Sequence, residues 1–323
     1  MDKVIQHLQQ SGPILIASHI NPDGDAIGSS LAIGLALERI GKDVTFYTES
    51  AIPTVYRFLP ETDRMIERIN AENHFQTAIV LDCGDIYRVG EAVSIVQKIP
   101  TIINIDHHIT NTNFGDYSLI DTEACATAEI VYRLIKKMKV PINRVIALSI
   151  YTGIMTDTGS FRFSNTNRDS FAICEEMIAS GADPYLVAQH VYGTYSLGRI
   201  KLLNRAIDSI EISENGKLSV MTVTKEMFDE TNTKPDDVDG LINYAKRIED
   251  VKVAALIYEH HKNNGSDGGN KTYHVSLRSD ETVDVGAIAA FFGGGGHATA
   301  AGFNIEATLV GLKSKIFSLA NKL

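Results

Sequence analysis

The sequence predicts an α/β protein in two domains: an N-terminal domain with a mainly parallel sheet covered by helices (residues 1–183), a helical connector (184–212) and a smaller C-terminal α/β domain (213–323). Three observations lead there. The first two-thirds of the chain alternates short segments rich in Ile, Val and Thr with longer helix-like stretches, the pattern of strands joined by helical crossovers. At 323 residues the chain is about twice the ~150 residues of a common single domain. The texture then changes after Ser180-Gly181-Ala182-Asp183-Pro184, where a turn cluster gives way to an extended helical pattern.

Taken in order, strands are expected at 14–18 (ILIAS), 43–47 (DVTFY), 77–82 (TAIVLD) and 101–106 (TIINID). Helices are expected at 25–40, 91–98 and 123–139, the first closed by Gly41 as a C-terminal cap. The connector is read as helical over roughly 184–210, with Tyr192 and Tyr195 around Gly193. Beyond 215 the expected order is strand 218–224, helix 236–248, strands 251–259 and 271–278, helix 284–292, a Gly-rich turn and a helix to the end. Residues 262–270, with Asn263-Asn264-Gly265 and Gly268-Gly269, read as a hairpin loop.

Apolar residues make up 44% and charged residues 22%, as in globular proteins, and no apolar run approaches the ~18 residues of a membrane span. A soluble protein without a membrane role is expected. Asp2, Lys3, Gln6 and His7 interrupt what would be the apolar core of a signal peptide, and three scattered cysteines (Cys83, Cys125, Cys174) exclude a disulfide framework, so the cytoplasm is the expected compartment. Thirty Lys+Arg against forty Asp+Glu gives a net charge of −10, which repels long polyanions and excludes extended duplex nucleic acid as a first choice of partner. A small phosphate-bearing ligand is compatible, because bound cations reverse a carboxylate field locally.

The densest chemistry is S-H-I-N-P-D-G-D-A-I-G-S, residues 18–29, directly after the first strand. It places His19, Asp23 and Asp25 within seven residues, with Pro22 and Gly24 shaping a turn. An imidazole with two carboxylates suits Mn²⁺, Fe²⁺, Co²⁺ or Zn²⁺ better than Ca²⁺. The plainer reading is an ordinary turn with Asp25 as a helix cap. Three further segments weigh against it. Asp82 ends the third strand in V-L-D-C-G-D, Asp106-His107-His108 ends the fourth in I-N-I-D-H-H, and Asp157 follows in G-I-M-T-D-T-G-S. Ligands of open α/β sheets bind at the carboxyl ends of strands, so four loops would bring His or Asp to one sheet edge. Six candidate ligands suit two metals with a bridging carboxylate, an arrangement that polarises phosphoryl oxygens and activates water.

These segments resemble the DHH phosphoesterase superfamily in H-x-N-P-D-x-D, the strand-end aspartate, D-H-H and T-D-T-G. V-S-L-R-S (275–279), V-D-V-G-A-I-A (283–289) and G-G-G-G-H-A-T-A-A-G-F (293–303) resemble its DHH-associated C-terminal domain. The motif order and length are similar to the stand-alone bacterial oligoribonucleases of that superfamily, the nanoRNases, which also dephosphorylate 3′-phosphoadenosine 5′-phosphate. The resemblance implies a DHH catalytic domain, a substrate-binding second domain and two divalent ions, most simply Mn²⁺. It further implies His19 and Asp23 on one ion, Asp25, His107 and Asp157 on the other, and Asp82 bridging. His108 would touch the scissile phosphate, and Asp106 would hold an imidazole in place.

In the second domain, Gly293, Gly294, Gly295 and Gly296 before His297 form a run without Cβ atoms that a phosphate can approach closely. The plainer reading is a flexible turn. Arg278 is the natural bidentate phosphate partner, against an ordinary surface ion pair. Residues 241–323 carry nine Lys+Arg and eight Asp+Glu, a balance of +1, too little for a basic stripe. A substrate of one to a few nucleotides, clamped between the domains, is therefore expected, and the resemblance implies that it is short RNA, a dinucleotide or a 3′,5′-bisphosphonucleoside. A homodimer is an open possibility. His260 and His261 read as solvated, and His7, His74, His190 and His274 have no partner pattern. Competing readings are a cyclic or linear dinucleotide phosphodiesterase, a second-family inorganic pyrophosphatase, and a nucleotide-binding regulator without turnover. A dinucleotide-cofactor enzyme is disfavoured, since Gly24, Gly28 and Gly34 do not give G-x-G-x-x-G and no G-K-[ST] occurs.

Overall fold

A computed structural model gives the fold and describes residues 1–70, 74–193, 195–259, 271–280 and 282–323. The hairpin loop expected at 262–270 and the pair His260-His261 lie outside the described residues. The chain divides into two compact units, Met1–Thr194 and Tyr195–Leu323.

The first unit runs α1 (Asp2–Gln10), β1 (Ile14–Ser18), α2 (Gly24–Arg39), β2 (Val44–Tyr47), β3 (Thr77–Leu81), a 3₁₀ turn (Ile86–Ala92), α3 (Val93–Val96), β4 (Thr101–Asp106), β5 (Tyr117–Ile120), α4 (Thr127–Lys137), α5 (Arg144–Asp157), α6 (Arg168–Ala179) and α7 (Pro184–Tyr192). Its five strands are all parallel, in the order β2-β1-β3-β4-β5. Strand periodicity sorts the side chains: Ile14, Ile16, Ile79, Leu81, Ile103 and Ile105 pack under α1, α2, α4 and α5. Leu15, Ala17, Ala78 and Val80 meet Ile86, Val89 and Val96 on the opposite face. Buried on both faces, these strands read as continuous apolar runs, which is why they were visible in the sequence. The strand order reverses between β1 and β3, and a crevice at such a switch point is where α/β sheets bind ligands.

Helices α2 and α5 cross at glycines. A Cβ on Gly28 would stand 2.4 Å from the Ser149 carbonyl oxygen, and one on Gly153 would stand 2.7 Å from the Ala128 Cβ and 2.9 Å from Asp25 Oδ1. The small residues let α5 approach the N-terminus of α2 closely.

The second unit contains α8 (Leu197–Asp208), β6 (Glu211–Ile212), β7 (Leu218–Val223), α9 (Lys225–Thr231), α10 (Ile242–Lys246), β8 (Val253–Glu259), β9 (Lys271–Ser279), α11 (Val285–Phe291), β10 (Gly295–Gly296), β11 (Ala300–Ala307) and α12 (Leu309–Ser318). Its sheet order is β10-β11-β9-β8-β7-β6, with only β7 and β8 parallel. One face packs on α11 and α12, the other on α8, α9 and α10. The stretch read as one connector is two helices, α7 ending the first unit and α8 opening the second. α1, β5, α5, α6, β6, α9, β10 and β11 add to the expected elements, and the Gly-rich turn leads into β11 rather than directly into the last helix.

Candidate metal centre

Three strand ends and two helix ends, the start of α2 and the end of α5, supply the candidate ligands. β1 is followed by His19 and a tight turn through Asn21 (φ 54°) into α2. The cap of α2 is Asp23, whose Oδ1 accepts the Asp25 and Ala26 N–H groups at 3.0 Å each. Asp25, expected as the cap in the plainer reading, lies inside the first turn instead and is 1% exposed. Asp82 follows β3 with φ 53°, an uncommon left-handed conformation for a residue with a Cβ, and its N–H still donates to Ile105 in β4 at 3.0 Å. His107 and His108 follow β4. Asp157 departs from the expected loop, being the last residue of α5.

Ligand atoms within 4.8 Å of one another form three sets: His19, Asp23 and Asp82; Asp25, His107 and Asp157; and Asp82, His107 and His108. Two imidazoles are fixed in one tautomer by the backbone. His19 Nδ1 lies 2.8 Å from the Ile20 carbonyl and His107 Nδ1 lies 3.2 Å from the Ala124 carbonyl. A carbonyl only accepts, so Nδ1 carries the proton and Nε2 presents a lone pair. Both lone pairs face carboxylates: His19 Nε2 is 3.6 Å from Asp82 Oδ2, and His107 Nε2 is 3.5 Å from Asp157 Oδ2 and 3.8 Å from Asp82 Oδ1. Two acceptors aimed at one another at that range do not form a hydrogen bond. Donors that share a cation at ~2.0–2.2 Å each stand at such separations.

His108 differs. Its Nδ1 donates to Asp106 Oδ1 at 2.6 Å, and Asp106, fully buried, also accepts Asn111 Nδ2 at 2.6 Å.

One peptide segment, residues 124–128, supports most of the cluster. The Ala124 carbonyl orients His107, the Thr127 and Ala128 N–H groups donate to the two Asp25 oxygens at 2.6 and 2.9 Å, and Thr127 Oγ1 donates to Asp82 Oδ1 at 3.0 Å. The Cys125 carbonyl accepts Asn165 Nδ2 at 2.8 Å, and the same amide donates to Asp157 Oδ2 at 3.0 Å. The segment is itself held by buried Glu129, which accepts the Cys125 N–H at 2.8 Å and pairs with Arg133. Thr127, Asn165, Asn111 and Glu129 were not singled out in the sequence. Glu129 stands three residues after the cap Ala126, which lacks the Ser or Thr of a capping box, so it gave no signal either.

The electrostatics call for a cation. Burial pushes the Asp25 carboxyl well above the ordinary carboxylate range, and the charges of Asp82, Asp157 and Asp23 push the same way. Asp157 is pushed up to about 7 by burial, with His107 opposing and Asp82 and Asp23 adding. Burial acts upward on Asp82 too, but positive charge on His19, His108 and His107, when these imidazoles are protonated, outweighs it and holds this carboxyl well below its usual range; with Nε2 of His19 and His107 deprotonated, that charge has to come from a cation. For His108 burial acts downward, and the Asp106 and Asp82 carboxylates override it and raise the imidazole to about 9. Among the described residues no Lys or Arg pairs with Asp23, Asp25, Asp82 or Asp157. Four crowded carboxylates and two lone-pair imidazoles are a donor set that fits a divalent metal.

In the second unit, Arg278 sits on the central strand β9, opposite Ala300 and Ala254. Its guanidinium donates to the Leu277 carbonyl at 3.0 Å, and among the described residues no other hydrogen bond or ion pair takes the rest of the fork. The Gly run is more ordered than a loose loop. Gly293 (φ 78°) caps α11, with Gly294 N–H on Ala289 and Gly293 N–H on Ala290 closing a Schellman motif. Gly296 (φ 140°) leaves no room for a Cβ, which would meet the Ala300 oxygen at 2.5 Å, whereas a Cβ on Gly295 would meet nothing. His297 closes the hairpin, its N–H on the Ala300 carbonyl at 2.7 Å. Of the histidines given no chemistry, His7 bonds Thr77, His190 stacks on Phe58 and His274 bonds Asn304.

Residues 13–154 match the DHH family N-terminal domain and residues 215–322 the DHHA1 domain. The chain is 33% identical over 304 residues to the bifunctional oligoribonuclease and PAP phosphatase NrnA of Thermus thermophilus, covering 93% of this chain and 85% of that protein. It is 25% identical over 309 residues to the protein of the same name from Bacillus subtilis, covering 94% and 92%. A crystal structure of an exopolyphosphatase-related protein from Bacteroides fragilis superposes with a TM-score of 0.89 at 28% identity, covering 98% of this chain and 95% of that one. The chain belongs to the DHH family, with a DHHA1 domain as its second unit.

Proposed function

We propose that this protein is a metal-dependent phosphoesterase that hydrolyses short oligoribonucleotides to 5′-mononucleotides and 3′-phosphoadenosine 5′-phosphate to AMP and phosphate. The observation that supports this most is that Asp82 belongs to two ligand sets at once, one with His19 and Asp23 and one with His107 and His108. In this reading the shared carboxylate bridges two ions, and the separate set Asp25, His107 and Asp157, which shares His107, supplies the remaining ligands of the second. Two divalent ions held there, Mn²⁺ in our reading, would neutralise the carboxylates, polarise phosphoryl oxygens and lower the pKa of the attacking water. The similarity to the two NrnA proteins supplies the substrate class.

The chain's own groups do the rest. His108, kept protonated by Asp106 and Asp82, presents Nε2–H to a nonbridging oxygen of the scissile phosphate and stabilises the charge that grows there. Water adds to phosphorus, the bond to the 3′-oxygen breaks, and that oxygen leaves with a proton. The same step frees a 5′-mononucleotide from RNA or inorganic phosphate from a 3′,5′-bisphosphate, so the bisphosphonucleoside is the shortest substrate. Arg278 and His297 bind the 5′-phosphate, away from the reacting bond.

A hydrolysis panel with Mn²⁺ tests the reading: dinucleotides, a five-residue RNA, 3′-phosphoadenosine 5′-phosphate, cyclic di-AMP and pyrophosphate. The first three should be cleaved, and chelation should abolish the activity. Turnover of cyclic di-AMP or pyrophosphate alone, or full activity after exhaustive chelation, would overturn it.

A further inference from the structure

Helix α5 ends in an uncommon turn that brings the chain back onto the candidate metal centre. Directly after Asp157, Thr158 is fully buried, and Gly159 (φ 57°), Ser160 (φ 60°) and Phe161 (φ 60°) follow in the left-handed region. Ser160 and Phe161 carry a Cβ, and such a run persists only where its surroundings over-determine it. The Ser160 N–H donates to the Met155 carbonyl at 2.8 Å, the Phe161 N–H to Thr158 Oγ1 at 3.2 Å and the Arg162 N–H to the Thr158 carbonyl at 2.9 Å. The Phe161 ring stacks on Phe171 of α6, with centroids 4.9 Å apart. The turn returns Asn165, eight residues beyond Asp157, to that same carboxylate.

Asn165 Nδ2 has three oxygens within reach: the Cys125 carbonyl at 2.8 Å, Asp157 Oδ2 at 3.0 Å and the Asp157 carbonyl at 3.2 Å. Carbonyls and an ionised carboxylate only accept, which fixes the amide with its nitrogen toward them. Its Oδ1 is buried and has no hydrogen-bond partner among the described residues. A buried polar atom left unpaired is costly, so the fold keeps a donor on Asp157 while leaving an acceptor unused. The oxygen that receives this donor is the one 3.5 Å from His107 Nε2. A carboxylate oxygen has two lone pairs, and the amide occupies one, leaving the other for what His107 also faces. The amide nitrogen of Asn165 reaches none of His19, Asp23 and Asp82.

We infer that Asn165 is a positioning residue for one ion of the centre, the one that Asp25, His107 and Asp157 would hold, and does not orient the ligands His19 and Asp23. The inference rests on the dinuclear reading above and deepens it by giving the two ions separate supports.

The test is a Mn²⁺ titration of the full chain by calorimetry and electron paramagnetic resonance. The parent is compared with Asn165→Leu, which keeps the shape of the side chain and removes its donated hydrogens, and with Asn165→Ala. The parent should bind two ions. Each variant should bind one ion as tightly as the parent and the other about ten- to a hundredfold more weakly. Turnover of 3′-phosphoadenosine 5′-phosphate should be lost at low Mn²⁺ and return as Mn²⁺ is raised, which a general loss of structure would not allow. If Asn165→Ala does not fold, the same-shaped Asn165→Leu decides. Parent affinity at both positions, equal weakening of both, or a loss that no Mn²⁺ concentration restores would overturn the inference. A parent that binds fewer than two ions overturns the dinuclear reading and this inference with it, whereas two ions held alike by parent and variants overturn this inference alone.

Discussion

Replacing Thr127 by Val removes a single hydroxyl from the wall of the candidate metal centre. The side chain is fully buried, its Oγ1 donates to Asp82 Oδ1 at 3.0 Å, and its backbone N–H on Asp25 is untouched by the change. Asp82 is itself 2% exposed, so water does not replace the lost donor. A hydrogen bond to a charged group contributes about 1.5–3 kcal/mol, and ~1.4 kcal/mol is one decade in an equilibrium constant. The expected result is a loss of about ten- to a hundredfold in metal affinity, the size typical of partners that orient ligands. Mn²⁺ titration followed by electron paramagnetic resonance or calorimetry measures it, with the melting temperature of the metal-free protein recorded in parallel. Thr127→Ser restores the donor and should recover most of the affinity. If Thr127→Val binds Mn²⁺ as tightly as the parent, or Thr127→Ser loses as much as Val, the hydroxyl does not orient the bridging carboxylate and the reasoning fails.

Three further outcomes are expected. His107→Ala should lose metal, while His108→Ala should keep most of it and lose kcat, as judged by metal analysis beside steady-state kinetics; equal metal loss in both would contradict the division of roles. Arg278→Ala and His297→Ala should lower kcat/KM about ten- to a hundredfold on substrates carrying a 5′-phosphate and leave a small chromogenic phosphoester unaffected; equal losses on both would mean the two residues support the fold instead. Gly28→Ala should destabilise the protein by about 1–3 kcal/mol in denaturant unfolding, because its methyl would stand 2.4 Å from the Ser149 carbonyl oxygen; an unchanged midpoint would show that α2 and α5 separate at little cost.

The parallel sheet was legible because its strands are buried on both faces and so read as unbroken apolar runs, and the clustering of the candidate ligands was legible because charged groups directly after such runs have few other places to go. What escaped was held by pairing or by neutral groups. β5 is a short edge strand of four half-buried residues, and β11 begins Ala300-Ala301-Gly302, a composition with little strand preference, yet extends because β9 pairs with it throughout. α1 did carry a signal in the spacing of Val4 and Leu8, both buried. Asp23 and Asp25 lie two apart at a helix start, and composition alone does not decide which of them caps it. Thr127, Asn165 and Asn111 left no trace because uncharged hydrogen-bonding residues are common everywhere, and the Ala124 carbonyl that orients His107 belongs to no side chain at all.

That last point bears on how the site behaves as a unit. The candidate ligands follow β1, β3 and β4 or lie at the start of α2 and the end of α5, yet His107, Asp25, Asp82 and Asp157 all lean on residues 124–128, directly or through Asn165. These four include members of all three ligand sets. A displacement of the segment would therefore disturb both halves of the cluster together, and substitutions in different ligands need not have independent effects, because their partners are shared. Glu129 is the point on which the segment turns. Fully buried, it holds the Cys125 N–H on one oxygen and Arg133 on the other, and Arg133 reaches Asp121 at 2.6 Å on the far side of the loop. A buried ion pair contributes little net stability, but one that fixes a loop supporting four metal-directed groups has a reason to be there that stability alone does not supply.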